Sequence, residues 1–248
     1  MQSVWVSSRQ RGKKPRIRLF CLPYAGGGTL IFHSWAKVLP ADIEICPIQL
    51  PGRECRVRER FITNMVTMVD ALVSALQNHL DAPFALFGHS MGAIIAYETA
   101  RRLLATHAKT PWVLLVSGAR APHLVPLRSP IHSLEDGAFI EEIRKLNGTL
   151  PEVLEHAELM QLLIPLLRGD FKLVETYREL DGPKLACPVV AFGGREDDQV
   201  PPASIEAWRE KTSGPFIRYL LPGGHFFVNS AREQLLGLIA AALRHPPL

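Results

Sequence analysis

Short apolar runs alternate along this chain with longer stretches in which apolar residues recur every three or four positions. The first pattern predicts buried β-strands and the second predicts amphipathic helices. Such alternation is typical of a mostly parallel sheet with helices on both faces, and we therefore expect an α/β fold. The predicted strands are Ile17–Leu22, Ile43–Leu50, Phe84–Phe87, Trp112–Ser117, Pro188–Phe192 and Phe216–Leu221. The predicted helices between them lie near Phe32–Val38, Thr63–Leu80, Gly92–Thr106, Ser204–Glu210 and Asn229–Leu243.

The alternation is interrupted once, between Ala121 and Gly182, where the sequence contains no convincing strand. Apolar residues at helical spacing predict four helices in this interval. These helices cover Leu134–Leu146, Pro151–Glu155, Ala157–Leu167 and Phe171–Leu180. Because the strand pattern resumes only at Pro188, we expect a single domain over residues 1–248 with a helical insertion at about residues 121–182.

Length and composition fit one globular domain with a substantial core. The chain has 248 residues, of which 47% are hydrophobic and 21% are charged, as in ordinary soluble proteins. No apolar run approaches the roughly 18 residues of a transmembrane helix. The basic amino-terminal stretch is not followed by the apolar core of a signal peptide. We expect a cytoplasmic monomer that does not bind membranes.

Cysteine spacing and charge exclude two further classes of function. The four cysteines are scattered and form no C-x-x-C pair, so the sequence indicates neither a zinc site nor a redox motif. The formal net charge is +4, a mild excess that can favour an acidic partner. Aromatic residues do not interleave with the basic amino-terminal residues beyond Trp5, and we therefore predict no nucleic-acid binding.

One predicted strand runs directly into Gly88-His89-Ser90-Met91-Gly92, and a predicted helix follows. Strand, G-x-S-x-G and helix in this order are the context of a nucleophile elbow, in which a sharp turn exposes a serine hydroxyl. The flanking glycines suit so tight a bend because side chains there would collide. A serine hydroxyl needs this exposure and a nearby base before it can attack a carbonyl group. We predict that Ser90 is the nucleophile of an α/β-hydrolase fold, whose lid is the helical insertion.

A serine nucleophile requires a histidine base and a carboxylate, which follow it in this fold in the order Ser, Asp or Glu, His. His225 follows the last predicted strand in a Pro-Gly-Gly turn between apolar residues, and we assign it as the base. Three acids, Glu196, Asp197 and Asp198, follow the strand Pro188–Phe192. The spacing G-x-x-D-x-x-V favours Asp197, with Asp198 as the second choice and Glu196 as the third.

The tetrahedral intermediate of acyl transfer requires N–H donors for its oxyanion. In this fold one donor is the backbone N–H that follows the nucleophile, which here belongs to Met91. The other comes from the loop after an early strand, here the glycine-rich segment that begins at Leu22. We assign Ala25 as the second donor, with Gly26 as the alternative.

Several segments together resemble the stand-alone type II thioesterases of polyketide and nonribosomal peptide synthesis, all of them α/β-hydrolases. G-x-S-x-G is shared by the whole hydrolase fold, whereas the P-Y-A-G-G and Q-L-P-G-R segments are much more specific. The resemblance extends from about Ile17 to about Leu238. The matching segments are Leu22–Gly27 with Trp35, Gln49–Glu54 with Arg56, Gly88–Ala93, Asn147–Thr149 and Leu166–Phe171.

The resemblance implies a serine thioesterase that hydrolyses acyl or aminoacyl thioesters from the phosphopantetheine arm of carrier domains. It implies an editing role, in which the enzyme clears stalled or wrongly loaded acyl groups. The expected reaction needs neither a metal nor a cofactor. Arg53, Arg168 and Asp170 lie in the matching segments, and we expect structural roles for all three.

Three other functions remain open at the level of sequence. The same triad would serve a chain-releasing thioesterase for medium-chain acyl groups on a carrier protein. A generic carboxylesterase would share the elbow but not the Q-L-P-G-R segment. A catalytically inactive hydrolase fold could act as a binding protein, although none of the expected triad residues is missing here.

Overall fold

The computed structural model describes residues 5–7, 15–148 and 155–245. Within these ranges six strands form one sheet in the order β2-β1-β3-β4-β5-β6, and every neighbouring pair is parallel. The predicted α/β-hydrolase architecture is confirmed. The strands are β1 (Ile17–Leu22), β2 (Ile43–Pro47), β3 (Phe84–His89), β4 (Leu114–Ser117), β5 (Val189–Gly194) and β6 (Phe216–Leu221). The α-helices are α1 (Met65–Leu76), α2 (Met91–His107), α3 (Asp136–Lys145), α4 (Ala157–Glu175), α5 (Pro202–Glu206), α6 (Phe227–Ser230) and α7 (Arg232–Arg244).

Both faces of the sheet are buried, which explains why its central strands consist of continuous apolar runs. Alternate residues of one strand belong to two separate cores, as Leu86 and Phe87 of β3 illustrate. Leu86 packs in the core formed with α1 and α2. Phe87 packs in the core formed with Trp35 and α7. The sheet is therefore the middle layer of three, and its edges carry the loops that reach the site.

The second strand and the first predicted helix differ from prediction. The strand predicted over Ile43–Leu50 ends at Pro47, and the Ile48 N–H makes one more hydrogen bond to β1, to the carbonyl of Cys21 at 2.8 Å. Ile48 then pairs antiparallel with Val6. The helix predicted over Phe32–Val38 is instead two 3-10 turns, at Thr29–Phe32 and Trp35–Lys37.

The helical insertion contains a small core of its own. Phe139 and Ile143 of α3 pack against Met160 and Leu167 of α4. Farther along α4, Leu173 belongs to the main core beneath the sheet. Helix α4 therefore extends from the core of the insertion into the core of the domain.

The two helices predicted over Ala157–Leu167 and Phe171–Leu180 are in fact one helix, α4, which ends at Glu175. Gly169 lies in the gap between the two predicted helices, and glycine is a poor helix former. In the structure it lies against the ring of Phe61, where a Cβ would come within 3.1 Å of the Phe61 Cβ. Residues 151–154 of the helix predicted over Pro151–Glu155 lie outside the described residues.

A buried polar network joins helix α2 to the segment that follows α4. The Glu98 carboxylate pairs with Arg101 at 3.0 Å and accepts hydrogen bonds from the Tyr177 hydroxyl at 2.5 Å and the Leu180 N–H at 3.2 Å. Burial raises the pKa of Glu98, and the hydrogen bonds and Arg101 oppose that rise. The network fastens the carboxyl-terminal end of the insertion to α2. Within the described residues, no helix is both long enough and apolar enough to cross a membrane.

Trp208 offers a direct test of the packing beside α2. Its indole N–H donates to the carbonyl of Ala119 at 2.7 Å, and its ring is fully buried against Tyr97. We expect Trp208→Phe to lower the free energy of unfolding by about 1–3 kcal/mol, because the buried carbonyl would lose its donor. Urea unfolding followed by circular dichroism measures this change.

The matched control is Trp112→Phe, which replaces a tryptophan that is 43% exposed. We expect that substitution to change the free energy of unfolding by less than about 0.5 kcal/mol. Equal losses in the two variants would show that the buried hydrogen bond does not stabilise the fold.

Candidate active site

Ser90 occupies a sharp turn between the end of β3 and the start of α2. Its φ and ψ angles are +53° and −117°, a conformation that non-glycine residues rarely adopt and that is typical of strained functional positions. The Ser90 N–H donates to the carbonyl of Ser117 in β4 at 2.8 Å, which fixes the turn to the neighbouring strand. The geometry is that of a nucleophile elbow.

Two glycines permit this turn by allowing backbone to approach backbone. A Cβ at Gly88 would lie 2.1 Å from the carbonyl oxygen of Gly92. A Cβ at Gly92 would lie 2.3 Å from the carbonyl oxygen of Leu22, at the end of β1. Both distances are far below van der Waals contact, so no larger residue fits at either position. The elbow is therefore pressed against the neighbouring strand.

Three predicted residues come together at the carboxyl edge of the sheet. The His225 Nε2 lies 3.1 Å from the Ser90 Oγ, and the His225 Nδ1 lies 2.8 Å from the Asp197 Oδ2. Because a carboxylate can only accept hydrogen bonds, this contact assigns the ring proton to Nδ1. Nε2 is then free to accept the hydroxyl proton of Ser90, as general-base activation of a serine requires.

Asp197 is buried and held from two directions. It is 6% exposed, and its Oδ1 accepts the N–H groups of Gln199 at 2.9 Å and Val200 at 3.1 Å. Its other oxygen is thereby directed at His225. The neighbouring Asp198 is exposed to solvent. Of the three acids in this loop, Asp197 is the one that reaches the histidine.

Glu196 has a different role in the same loop. Its carboxylate accepts the N–H of Gly223, and its own N–H donates to the carbonyl of Gly223 at 3.2 Å. A Cβ at Gly194 would lie 2.4 Å from that same carbonyl oxygen. The loops after β5 and β6 are therefore in direct backbone contact, which fixes the distance between Asp197 and His225.

The two N–H groups predicted to bind an oxyanion follow the ends of two adjacent strands. Leu22 of β1 pairs with Gly88 of β3, and the strand order reverses at this point, where α/β sheets open a crevice for ligands. Among the described residues, neither the Ala25 N–H nor the Met91 N–H has a hydrogen-bond acceptor. The Gly26 N–H, by contrast, donates to the Asp170 carboxylate at 2.8 Å. The alternative donor Gly26 is thus occupied.

His89 lies in the site, although reasoning from the sequence did not place it there. Its ring is buried beside the triad, with its centroid 5.3 Å from that of His225 and its Nδ1 2.9 Å from the Ser117 Oγ. Burial lowers the pKa of His89 well below its usual value, and the nearby His225 contributes to the same effect. Because the strand before Ser90 is buried on both faces, its side chains point into the protein on either side. This pattern could have indicated that His89 points inward.

The insertion rests on the loops that carry the triad. The Gln199 side chain donates to the carbonyl of Leu146, just after α3, at 3.1 Å. Gly148 lies so close to the ring of Phe226, the neighbour of His225, that a Cβ there would approach it to 2.5 Å. Among the described residues, no group of three histidine, cysteine or acidic side chains could hold a metal ion.

Comparisons with known proteins agree with this geometry. The thioesterase domain family matches residues 17–243 of the chain. The chain is 40% identical over 240 residues to the gramicidin S biosynthesis protein GrsT of Aneurinibacillus migulanus. This match covers 97% of this chain and 94% of GrsT. The predicted resemblance to thioesterases is confirmed.

Two solved structures share the fold over almost their full length. The RedJ thioesterase from the prodiginine biosynthetic pathway of Streptomyces coelicolor is 41% identical with a TM-score of 0.86, and the match covers 92% of this chain and 90% of RedJ. The type II thioesterase BorB from the borrelidin biosynthetic cluster is 36% identical with a TM-score of 0.89, and covers 98% and 99% of the two chains.

The neutral, buried state of His89 makes stability depend on pH in a defined direction. Unfolding exposes a histidine with a pKa of about 6.5, which takes up a proton that the folded protein excludes. Stability should therefore fall as the pH drops below that value, by up to about 1.4 kcal/mol per pH unit from this residue. We expect His89→Gln to remove this contribution to the pH dependence of the free energy of unfolding. Urea unfolding measured over a series of pH values tests the expectation.

The control is His107→Gln, which replaces an exposed histidine at the end of α2. Wild type and the control should show the steeper decline at acid pH, and His89→Gln the shallower one. Equal slopes for all three proteins would contradict a neutral buried His89.

Proposed function

Because this chain belongs to the thioesterase family, we propose that it hydrolyses acyl and aminoacyl thioesters held on the phosphopantetheine arm of carrier domains. The observation that carries the proposal is the continuous line of hydrogen bonds from Asp197 through His225 to Ser90. This line ends on a strained serine whose neighbouring backbone N–H groups have no acceptor among the described residues.

The first half of the proposed reaction forms an acyl-enzyme. His225 takes the proton from Ser90 as its Oγ attacks the thioester carbonyl carbon. Asp197 holds the imidazole in the required tautomer and stabilises the imidazolium that forms. The Ala25 and Met91 N–H groups bind the oxygen as it gains negative charge. The C–S bond then breaks, and the pantetheine sulfur leaves as a thiol after it takes the proton from His225.

The second half releases the acid. Water that has lost a proton to His225 attacks the acyl group on Ser90, and the same two N–H groups bind the second oxyanion. The bond to the Ser90 Oγ breaks, and His225 returns its proton to that oxygen. Each proton transfer and each charge is handled by a group of the chain itself, and we propose a reaction that uses no cofactor.

The biological role that we propose is editing, in which blocked or wrongly loaded carrier domains are cleared. The relatives support this role, since GrsT is named for gramicidin S biosynthesis and BorB is described as a type II thioesterase. The net charge of +4 suits an acidic carrier domain. We propose a cytoplasmic monomer that meets its carrier domains in solution.

The helical insertion is proposed to act as a lid. Its helix α3 is followed by Leu146 and Gly148, which contact the loops of Asp197 and His225. A segment in this position would cover a bound acyl chain and limit the entry of the pantetheine arm.

Ser90→Ala tests the nucleophile and the substrate class together. We expect the variant to lose about 10⁴-fold or more in turnover, because no other group can form the acyl-enzyme. The measurement is mass spectrometry of a panel of acyl-carrier proteins incubated with wild type or variant. Unchanged hydrolysis by Ser90→Ala would refute the mechanism. Faster wild-type turnover of p-nitrophenyl esters than of acyl-carrier proteins would refute the substrate class.

The neighbouring acids of the β5 loop give a matched pair of variants. We expect Asp197→Asn to lower kcat by about 10⁴-fold, because the amide would favour the wrong tautomer of His225. Asp198→Asn changes the exposed neighbour and should leave kcat unchanged. Steady-state kinetics on an acyl-N-acetylcysteamine thioester measures both. A greater loss in Asp198→Asn would reverse the assignment.

A further inference from the structure

Arg53 and Asp170 form a buried ion pair next to the site, although they lie 117 residues apart in the chain. The Arg53 Nη2 lies 2.7 Å from the Asp170 Oδ1, and the Arg53 Nη1 lies 2.9 Å from the Asp170 Oδ2. The two residues are 5% and 2% exposed. Buried charges are costly unless they are paired in good geometry, and this two-point geometry is the strong form of the contact.

Both members of the pair also bind the loop that follows β1. The Asp170 Oδ2 accepts the N–H of Gly26 at 2.8 Å. The Arg53 Nη1 donates to the carbonyl of Gly27 at 2.9 Å. The loop is therefore held at one N–H and at one carbonyl group by two opposite charges that also hold each other.

The peptide group that carries the proposed oxyanion donor and the peptide group after it are both held by hydrogen bonds. The carbonyl of Tyr24 shares a peptide plane with the Ala25 N–H, and it accepts the N–H of Gly27 at 2.9 Å. The next plane ends in the Gly26 N–H, which Asp170 binds. From Ala25 to Gly27, the N–H of Ala25 is thus the one without an acceptor among the described residues.

Glu54, the neighbour of Arg53, holds the next part of the same loop through hydrogen bonds. Its carboxylate accepts the N–H of Thr29 at 2.8 Å and the Thr29 hydroxyl at 2.9 Å. It also packs against Gly28, where a Cβ would lie 2.4 Å from its Oε1. Glu54 adopts a φ of +51°, a strained value for this residue type. The dipeptide of Arg53 and Glu54 therefore braces the loop from Gly27 to Thr29.

Asp170 is itself well anchored. It belongs to α4, between Leu167, which contacts Gly26, and Leu173, which is buried in the main core. Gly169 packs on the ring of Phe61. The carboxylate is thus presented to the loop from a fixed part of the helix.

We propose that Arg53 and Asp170 are positioning residues for the oxyanion hole, and that they hold the Ala25 N–H toward the reacting carbonyl group. Asp170 binds the N–H of Gly26, which would otherwise compete with the Ala25 N–H for the oxyanion. The pair also fixes the peptide planes that follow Ala25. The inference rests on the proposed function, in which the Ala25 N–H binds the oxyanion. Since the oxyanion exists only during reaction, loss of the pair should act on kcat rather than on KM.

The experiment compares Asp170→Asn and Arg53→Lys with wild type. Asp170→Asn keeps the shape of the side chain but removes its charge, and Arg53→Lys keeps the charge but removes the planar fork. The matched control is Arg101→Lys, which weakens the buried pair with Glu98 on α2. Kinetics are measured with an acyl-N-acetylcysteamine thioester and with p-nitrophenyl acetate. The affinity for an alkylboronic acid, whose adduct with Ser90 places an oxygen in the oxyanion hole, is measured in parallel.

We expect kcat to fall by about 10- to 100-fold in both test variants, since displacing one oxyanion donor costs somewhat less than removing it. KM and the midpoint of the pH–rate profile should remain as in wild type, and boronic acid affinity should fall with kcat. Arg101→Lys should lower the unfolding midpoint without these kinetic changes. If Arg53→Lys does not fold, Asp170→Asn alone carries the test.

The proposal is overturned if folded Asp170→Asn keeps wild-type kcat, if it raises KM alone, or if kcat falls while boronic acid affinity is unchanged. Failure of the proposed function would look different. Wild type would then prefer p-nitrophenyl acetate to the thioester, whereas the ratio of variant to wild-type kcat on that ester would still report the positioning effect.

Discussion

The contact between Gly92 and the end of β1 is the constraint on which the rest of the site depends. Because no Cβ fits between Gly92 and the carbonyl oxygen of Leu22, the elbow and the loop after β1 are in backbone contact. The two N–H groups assigned to the oxyanion, on Ala25 and Met91, lie on opposite sides of this contact. Their separation is therefore set by packed backbone rather than by flexible side chains, as preorganised electrostatic stabilisation requires.

Around this contact the side chains of Arg53, Asp170, Asp197 and His225 are buried, and both acids accept hydrogen bonds from several donors. Asp197 accepts three hydrogen bonds, and Asp170 binds both Arg53 and the Gly26 N–H. Buried polar networks of this kind favour one arrangement strongly, because any other leaves a charge without a partner. The strain at Ser90 and at Glu54 is located within this frame, which holds both residues in place.

The sequence predicted the sheet better than the helices, for physical reasons. Strands that are buried on both faces leave an apolar pattern, and Ile17–Leu22 has the predicted bounds. The edge strand Phe216–Leu221 is only partly buried but also has the predicted bounds. Helix α4 was predicted as two helices on either side of Gly169, whereas the structure shows one helix in which Gly169 packs on the ring of Phe61.

In the same way, chain order and turn residues indicated Ser90, Asp197 and His225. The partnership of Arg53 with Asp170 joins two distant segments, and no local pattern reveals it. The position of His89 beside His225 was not predicted either, because it depends on contact between distant segments of the chain.

Pro165 lies within α4, and side chains on both sides of it pack against α3. A proline inside a helix lacks the N–H that would bond the carbonyl four residues earlier, so the backbone is weakest at this point. Met160 precedes the proline and Leu167 follows it, and both pack in one core with Phe139 and Ile143 of α3. Helix α3 therefore splints the weak point of α4, and a displacement of the proposed lid is mechanically linked to the segment that presents Asp170 to its loop.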